Sequence, residues 1–134
     1  MRRTVAASLL FLAGCVLPAE ERLPVQPLQE NGLTNYADVV TRARLQASSA
    51  TEAFYVNRWT DLEAAAQKLD QSARMLVKAS DVPPRQKDKL PANADDLSRA
   101  AVDLAKAAKA QDVKQVNDLL QRINLRVREL RPEG

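Results

Sequence analysis

Hydrophobic residues recur at steps of three and four positions in four separate stretches of the chain, and polar residues and prolines interrupt the pattern between them. This spacing places apolar side chains on one face of a helix. The repeating positions are Leu33, Tyr36, Val40, Ala43, Ala47, Ala50 and Phe54, then Leu62, Ala66, Leu69, Ala73 and Leu76, then Leu90, Ala94, Leu97, Ala101, Leu104 and Ala108, and last Val113, Val116, Leu120, Ile123, Val127 and Leu130. Because isolated helices of this length are marginal in water, the stretches predict an all-α fold, an antiparallel four-helix bundle over residues 33–131 with a tail at 132–134.

Polar residues at the ends of the stretches predict where the helices begin. Thr34 or Asn35 can cap the first helix, since such side chains accept hydrogen bonds from free backbone N–H groups. Thr60–Glu63 and Asp112–Gln115 resemble capping boxes, which predicts that the second and fourth helices begin there. Residues 85–89 follow a pair of prolines and are predicted to form a loop or a short irregular turn.

The N-terminal residues follow the pattern of a bacterial export signal. Arg2 and Arg3 precede a small apolar run, Thr4–Leu12, which is too short to span a bilayer because spanning takes about 20 residues. The run ends in Leu12-Ala13-Gly14-Cys15, which resembles the lipobox of bacterial lipoprotein precursors. The resemblance implies that residues 1–14 are a cleaved signal peptide and that Cys15 becomes the acylated first residue of the mature protein.

The lipoprotein resemblance also implies a location. Acyl chains on Cys15 attach a protein to a membrane without spanning it. Val16 stands where lipoproteins retained in the inner membrane of Gram-negative bacteria carry aspartate, so the periplasmic face of the outer membrane is expected. In a bacterium without an outer membrane, the same signal implies the extracytoplasmic face.

Residues 15–32 are predicted to be the lipidated cysteine followed by an extended tether. Three prolines and several carboxylates oppose helix formation and burial in this segment. Stretched out, such a tether reaches about 3 Å per residue and lifts a folded domain from the lipid surface. An alternative stays open, in which Leu23, Val25 and Leu28 dock onto the bundle.

Charge and composition exclude several classes of function. The chain has 20 Lys+Arg against 17 Asp+Glu, a net charge of +3 that removal of Arg2 and Arg3 with the signal would lower to +1, so nucleic-acid binding has little support. No histidine and a single cysteine leave the usual metal sites and catalytic triads without their residues. Asp95 and Asp96 are predicted to lie in the first turn of the third helix, where negative charge complements the helix dipole. We therefore expect no enzyme activity, no metal and no cofactor.

The bundle resembles the cytochrome c′ and cytochrome b562 families in architecture. The residues that carry this resemblance are Phe54, Trp59, Asp61-Leu62-Glu63, Leu104–Lys109 and Asp112-Val113. Those families ligate haem through a histidine in the last helix, and the c′ type adds a Cys-X-X-Cys-His motif. Here Leu125–Arg131 contains neither residue type, so haem ligation does not carry over. Electron transfer or small-ligand binding remains the alternative function.

The densest basic run lies in the predicted last helix. Arg122, Arg126, Arg128 and Arg131 can contact anionic lipid headgroups, lipopolysaccharide or an acidic partner, or they can form a solvated face with favourable charge at the helix C-terminus. The sequence as a whole predicts a lipid-anchored, non-enzymatic helical-bundle protein of the bacterial cell envelope. It would act as a binding or structural module on an envelope protein partner whose identity the sequence leaves open.

Overall fold

The computed structural model describes residues 34–132, and most of these residues are helical. The signal peptide predicted at 1–14, the tether predicted at 15–32, Leu33 and residues 133–134 lie outside the described residues. The helices are α1 Tyr36–Tyr55, α2 Trp59–Leu76, α3 Pro84–Lys87, α4 Leu90–Lys109 and α5 Val113–Glu129. The prediction of an all-α domain is therefore confirmed, and α3 is an added one-turn helix where a loop or irregular turn was predicted.

Two of the predicted helix starts are confirmed and one is wrong. Asn35 caps α1 by accepting a hydrogen bond of 2.8 Å from the backbone N–H of Ala37, and Asp112 caps α5 by accepting one of 3.1 Å from Gln115. The capping box predicted at Thr60 does not form, because α2 begins at Trp59, two residues earlier than a cap at Thr60 would place it, and its N-cap residue Arg58 makes no side-chain cap hydrogen bond. Thr60 therefore lies inside the first turn of α2.

Two helices end in a left-handed residue that is not glycine. Asn57 has φ 57° and Gln111 has φ 53°, and each directly follows the C-cap residue of its helix, Val56 of α1 and Ala110 of α4. At the end of α4, the Gln111 N–H donates to the carbonyl of Ala108 and the Asp112 N–H to that of Ala107, each at 3.0 Å. This Schellman pattern satisfies carbonyls that a helix end otherwise leaves free.

The core consists of the predicted helix faces with small changes at their edges. Apart from Leu33, outside the described residues, Phe54, which is half-buried, and Val113, every repeating position is buried. The prediction that Val113 lies in the core is wrong, because Val113 is the first residue of α5 and is 57% exposed. Further buried positions that the repeat did not include are Val39, Ala53, Ala65, Ser72, Ala100, Ala107 and Leu119.

The four long helices pack around one core in a closed order. Along this order α1 contacts α2, α2 contacts α4, α4 contacts α5, and α5 contacts α1. Within residues 34–132, α1 and α4 are not neighbours, and neither are α2 and α5. The buried residues of α1 and of α4 are mostly alanine. In the described part of the chain these two helices do not contact each other, and each packs against α2 and α5. The buried residues of α5 are only valine, leucine and isoleucine. Small side chains opposite large ones let the helices pack closely.

Candidate functional site

Polar side chains join each pair of neighbouring long helices. Between α1 and α2, Ser72 Oγ donates a hydrogen bond to Gln46 Oε1 at 2.7 Å, and between α2 and α4, Ser98 Oγ donates one to Asp70 Oδ1 at 2.5 Å. Between α4 and α5, Arg126 Nε donates to Asp96 Oδ2 at 2.5 Å. Between α5 and α1, Asn124 Nδ2 donates to Thr51 Oγ1 at 3.5 Å. No buried side-chain nitrogen or oxygen in the described part of the chain lacks a hydrogen-bond partner. These bonds favour one register of each helix against the next.

Two of the arginines predicted to contact anions are engaged within the bundle. Arg122 and Arg126 of α5 both donate to the carboxylate of Asp96 on α4, which is 20% exposed, and Arg126 also pairs with Glu129 at 2.9 Å. Burial opposes the charge on Asp96, but the two guanidinium groups outweigh it and hold the pKa of Asp96 below its usual value. The prediction that Asp95 and Asp96 lie in the first turn of this helix is wrong, because α4 begins at Leu90 and its first turn holds no acidic residue. Asp96 joins α4 to α5 instead.

The other two arginines lie where α5 ends. Arg128 and Arg131 are exposed and form no salt bridge within residues 34–132. Beside them, Gln86 of α3 donates from Nε2 to the carbonyls of Glu129 at 2.9 Å and Arg131 at 3.3 Å. The Gln86 side chain thereby joins α3 to the end of α5.

This packing gathers basic side chains from three parts of the chain at one end of the bundle. We call the group of Lys78, Arg85, Lys87, Lys89, Arg128 and Arg131 the basic end. All six are exposed, and none forms a salt bridge within the described residues. The carboxylates at the same end are Asp38, Asp81, Asp88 and Glu129, of which Glu129 is paired with Arg126, so positive charge still exceeds negative charge there.

The opposite end of the bundle is mixed in charge. It contains the turn from α1 to α2, where Arg58 pairs with Asp61 at 3.7 Å, and the turn from α4 to α5, where Lys109 and Lys114 flank Asp112. Trp59 packs edge-on against Phe54 with ring centroids 6.1 Å apart. Through this contact, Trp59 at the start of α2 packs on Phe54 near the end of α1 and closes the turn between the two helices.

An open groove of about 460 Å³ runs between α2 and α4. Alanines form part of its lining, and Asp70 and Arg74 lie along it. The Asp70 carboxylate accepts hydrogen bonds from Ser98 at 2.5 Å and from Arg74 Nε at 3.2 Å, so it is already engaged within the protein. Among the described residues, no group of three His, Cys, Asp or Glu side chains is placed to hold a metal ion.

The predicted lipidation site lies outside the described residues. This holds for Cys15 and for the predicted signal residues Arg2, Arg3, Leu12, Ala13 and Gly14. In residues 34–132, no helix combines the length and the apolar character that crossing a membrane requires. No protein-family model, curated protein or solved structure matches this chain.

Proposed function

We propose that this chain is a lipid-anchored, non-enzymatic helical-bundle protein of the bacterial cell envelope that acts as a binding or structural module. The observation that carries the proposal is Leu12-Ala13-Gly14-Cys15, which contains the only cysteine of the chain directly after a short basic and apolar leader. Acylation of Cys15 would anchor the protein, since each buried methylene contributes about 0.8 kcal/mol. Residues 15–32 would then tether the bundle to the membrane.

The architecture we propose for the module is an antiparallel four-helix bundle. The backbone N–H of Tyr36 at the start of α1 donates to the carbonyl of Ser80, after the end of α2, at 2.9 Å. The Tyr36 hydroxyl donates to the carbonyl of Leu130 at the end of α5. Both contacts join the start of one helix to the end of a neighbour, which supports an up-and-down order along the chain.

The arrangement of polar groups supports a binding or structural role rather than catalysis. Inside the bundle, the polar side chains of neighbouring helices bond to each other, as Ser72 does to Gln46 and Ser98 to Asp70. On the surface of residues 34–132, six exposed cations gather at the basic end. Such a protein acts through the surfaces that it presents to a partner, which we expect to be a component of the envelope.

Metabolic labelling with a fatty-acid analogue tests the anchor. The wild-type protein should incorporate label and remain with the membrane after a wash in high salt. Cys15→Ser should abolish both, whereas Ser8→Ala, in the apolar run of the leader, should leave both unchanged. Equal labelling of wild type and Cys15→Ser would contradict the proposal.

The proposed outer-membrane location has its own test in a Gram-negative host. Val16→Asp places aspartate directly after the acylated cysteine and should shift the protein to the inner-membrane fraction, whereas Val16→Ala should not. Recovery of wild type and Val16→Asp in the same fraction would contradict the outer-membrane location while leaving the anchor itself intact.

A further inference from the structure

We infer that the basic end binds the anionic phospholipid headgroups of the membrane that holds the anchor, so that the bundle stands with this end against the lipid surface. The inference rests on the proposed acylation of Cys15. The six residues of the basic end come from sequence positions 78–89 and 128–131, so only folding brings them together into one surface.

The basic end carries an excess of exposed positive charge. Six exposed cations lie with four carboxylates at the basic end, and one of these carboxylates, Glu129, is already paired with Arg126. None of the six cations forms a salt bridge within the described residues, whereas Arg122 and Arg126 are paired with Asp96. Each lysine or arginine close to an anionic membrane strengthens binding by about fivefold, and the attraction falls off within a Debye length of about 8–10 Å. Cations left unpaired are the ones free to contact headgroup phosphates.

The position at which the chain enters the bundle also favours contact between the basic end and the membrane. Thr34 precedes α1, and its carbonyl accepts a hydrogen bond of 3.0 Å from the N–H of Ser80, two residues after Lys78. The chain therefore enters the folded unit at the basic end. Thr34 follows Cys15 by 19 positions, so even a fully extended connection keeps this end within about 65 Å of the anchor. Tethering at that end raises the local concentration of headgroups around these cations, and a modest affinity then suffices.

The connection between α3 and the end of α5 also favours the inference. Gln86 donates two hydrogen bonds to carbonyls at the end of α5, and these bonds join the segment that carries Arg85 and Lys87 to the segment that carries Arg128 and Arg131. Ordering a cluster before binding lowers the entropy lost when it binds. The basic end is in this sense preorganised for an anionic surface.

Lysine footprinting on vesicles tests the inference with the acylated protein. The protein is reconstituted in phosphatidylcholine vesicles with or without phosphatidylglycerol, acetylated briefly, and analysed by mass spectrometry. Lys87 and Lys89 should react several-fold more slowly on anionic vesicles, and the difference should vanish at about 1 M salt, where the Debye length is about 3 Å. Lys109 and Lys114, at the opposite end, should react equally on both vesicles.

Two charge-matched variants sharpen the test. Arg85→Gln/Arg128→Gln/Arg131→Gln removes three charges from the basic end but keeps both reporter lysines there, and it should abolish most of their protection. Lys106→Gln/Lys109→Gln/Lys114→Gln removes three charges elsewhere and should leave the protection of Lys87 and Lys89 unchanged.

The contrary outcomes separate this inference from the proposed anchor. If the protein floats with both vesicles but Lys87 and Lys89 react equally on them, the anchor stands and the inference is wrong. Protection of Lys109 and Lys114 instead would show that the opposite end faces the lipid. Protection of Lys87 and Lys89 in native envelopes but not on protein-free anionic vesicles would assign the basic end to an acidic protein. Failure to float with either vesicle would contradict the anchor on which the inference rests.

Discussion

The hydroxyl group of Tyr36, in the first residue of α1, donates a hydrogen bond of 2.6 Å to the backbone carbonyl of Leu130, directly after α5. Both residues are buried, and 94 positions separate them along the chain. A helix leaves its last carbonyls without partners, and here side chains from elsewhere in the fold supply them. Tyr36 binds the carbonyl of Leu130, while Gln86 binds those of Glu129 and Arg131. One end of the bundle is thereby closed by contacts between distant parts of the sequence.

Tyr36→Phe should lower the free energy of unfolding by about 1–3 kcal/mol, because it leaves the buried carbonyl of Leu130 without its donor. Tyr55→Phe is the matched control, since Tyr55 is 76% exposed and its loss of a hydroxyl should change stability by less than about 0.5 kcal/mol. Urea denaturation followed by circular dichroism measures both variants. Equal stability of the two would show that the Tyr36 hydrogen bond contributes nothing.

The same hydroxyl should make stability depend on alkaline pH. Burial raises the pKa of Tyr36 above its ordinary value of 10.0. The folded state therefore holds this proton more tightly than the unfolded state, so its contribution is fully present below about pH 10 and is lost as pH rises further. The stability difference between wild type and Tyr36→Phe should shrink above that pH.

Asp96→Asn should show the opposite dependence on pH. Because Arg122 and Arg126 hold the pKa of Asp96 below its usual value, the charged carboxylate stabilises the fold above about pH 4, and this contribution is lost as pH falls through the lowered pKa. At neutral pH the variant should be less stable by about 1 kcal/mol. The difference from wild type should disappear on acidification, as measured by thermal unfolding between pH 7 and pH 2.

Asp95→Asn is the control for that experiment. Asp95 pairs with Arg99 of the same helix at 2.9 Å, and both side chains are largely exposed. Its replacement should cost less than about 0.5 kcal/mol at any pH. A neutral-pH loss for Asp95→Asn as large as for Asp96→Asn would contradict a special role for the bond between α4 and α5.

Gln111→Gly should stabilise the protein by about 0.5–1 kcal/mol. Gln111 has φ 53°, a left-handed conformation that costs energy for a residue with a Cβ atom and very little for glycine. Lys106→Gly, inside α4, should instead destabilise by about 1 kcal/mol because glycine there is costly in a helix. Thermal unfolding distinguishes the two, and a loss of stability in Gln111→Gly would mean that its side chain makes a compensating contribution.

The core packing of α5 predicts a strong contrast between two of its neighbouring aliphatic positions. Ile123 is fully buried, and Ile123→Ala should cost about 2–5 kcal/mol. Leu125 is 60% exposed, and Leu125→Ala should change stability by less than about 0.5 kcal/mol. Equal losses for the two variants, measured by urea denaturation, would mean that the orientation of α5 is wrong.

The fold was largely predictable because its helices follow one physical rule, the burial of a stripe of apolar side chains. That rule identified the buried faces, including Tyr36, Leu69 and Ile123. It failed at Val113, since periodicity alone does not show that the first residue of a helix projects past the core. It also did not reveal the left-handed ends at Asn57 and Gln111, because the usual glycine signal is absent at both positions.

The candidate site was less predictable because it depends on contacts between distant segments. The four arginines of the last helix were considered together, but Asp96 engages Arg122 and Arg126 and leaves Arg128 and Arg131 free. Nothing in the local pattern indicates that Gln86 joins α3 to the end of α5 by hydrogen bonds. Only the packing of helices far apart in sequence assembles the basic end.

The mass of the intact protein extracted from the membranes of its own host tests the lipid anchor most directly. The mature chain should begin at Cys15, and its mass should exceed that of polypeptide 15–134 by acyl groups that fragment together with the N-terminal residue. A mature protein that begins at another residue, or one that begins at Cys15 with a free thiol and a free amine, would contradict the anchor.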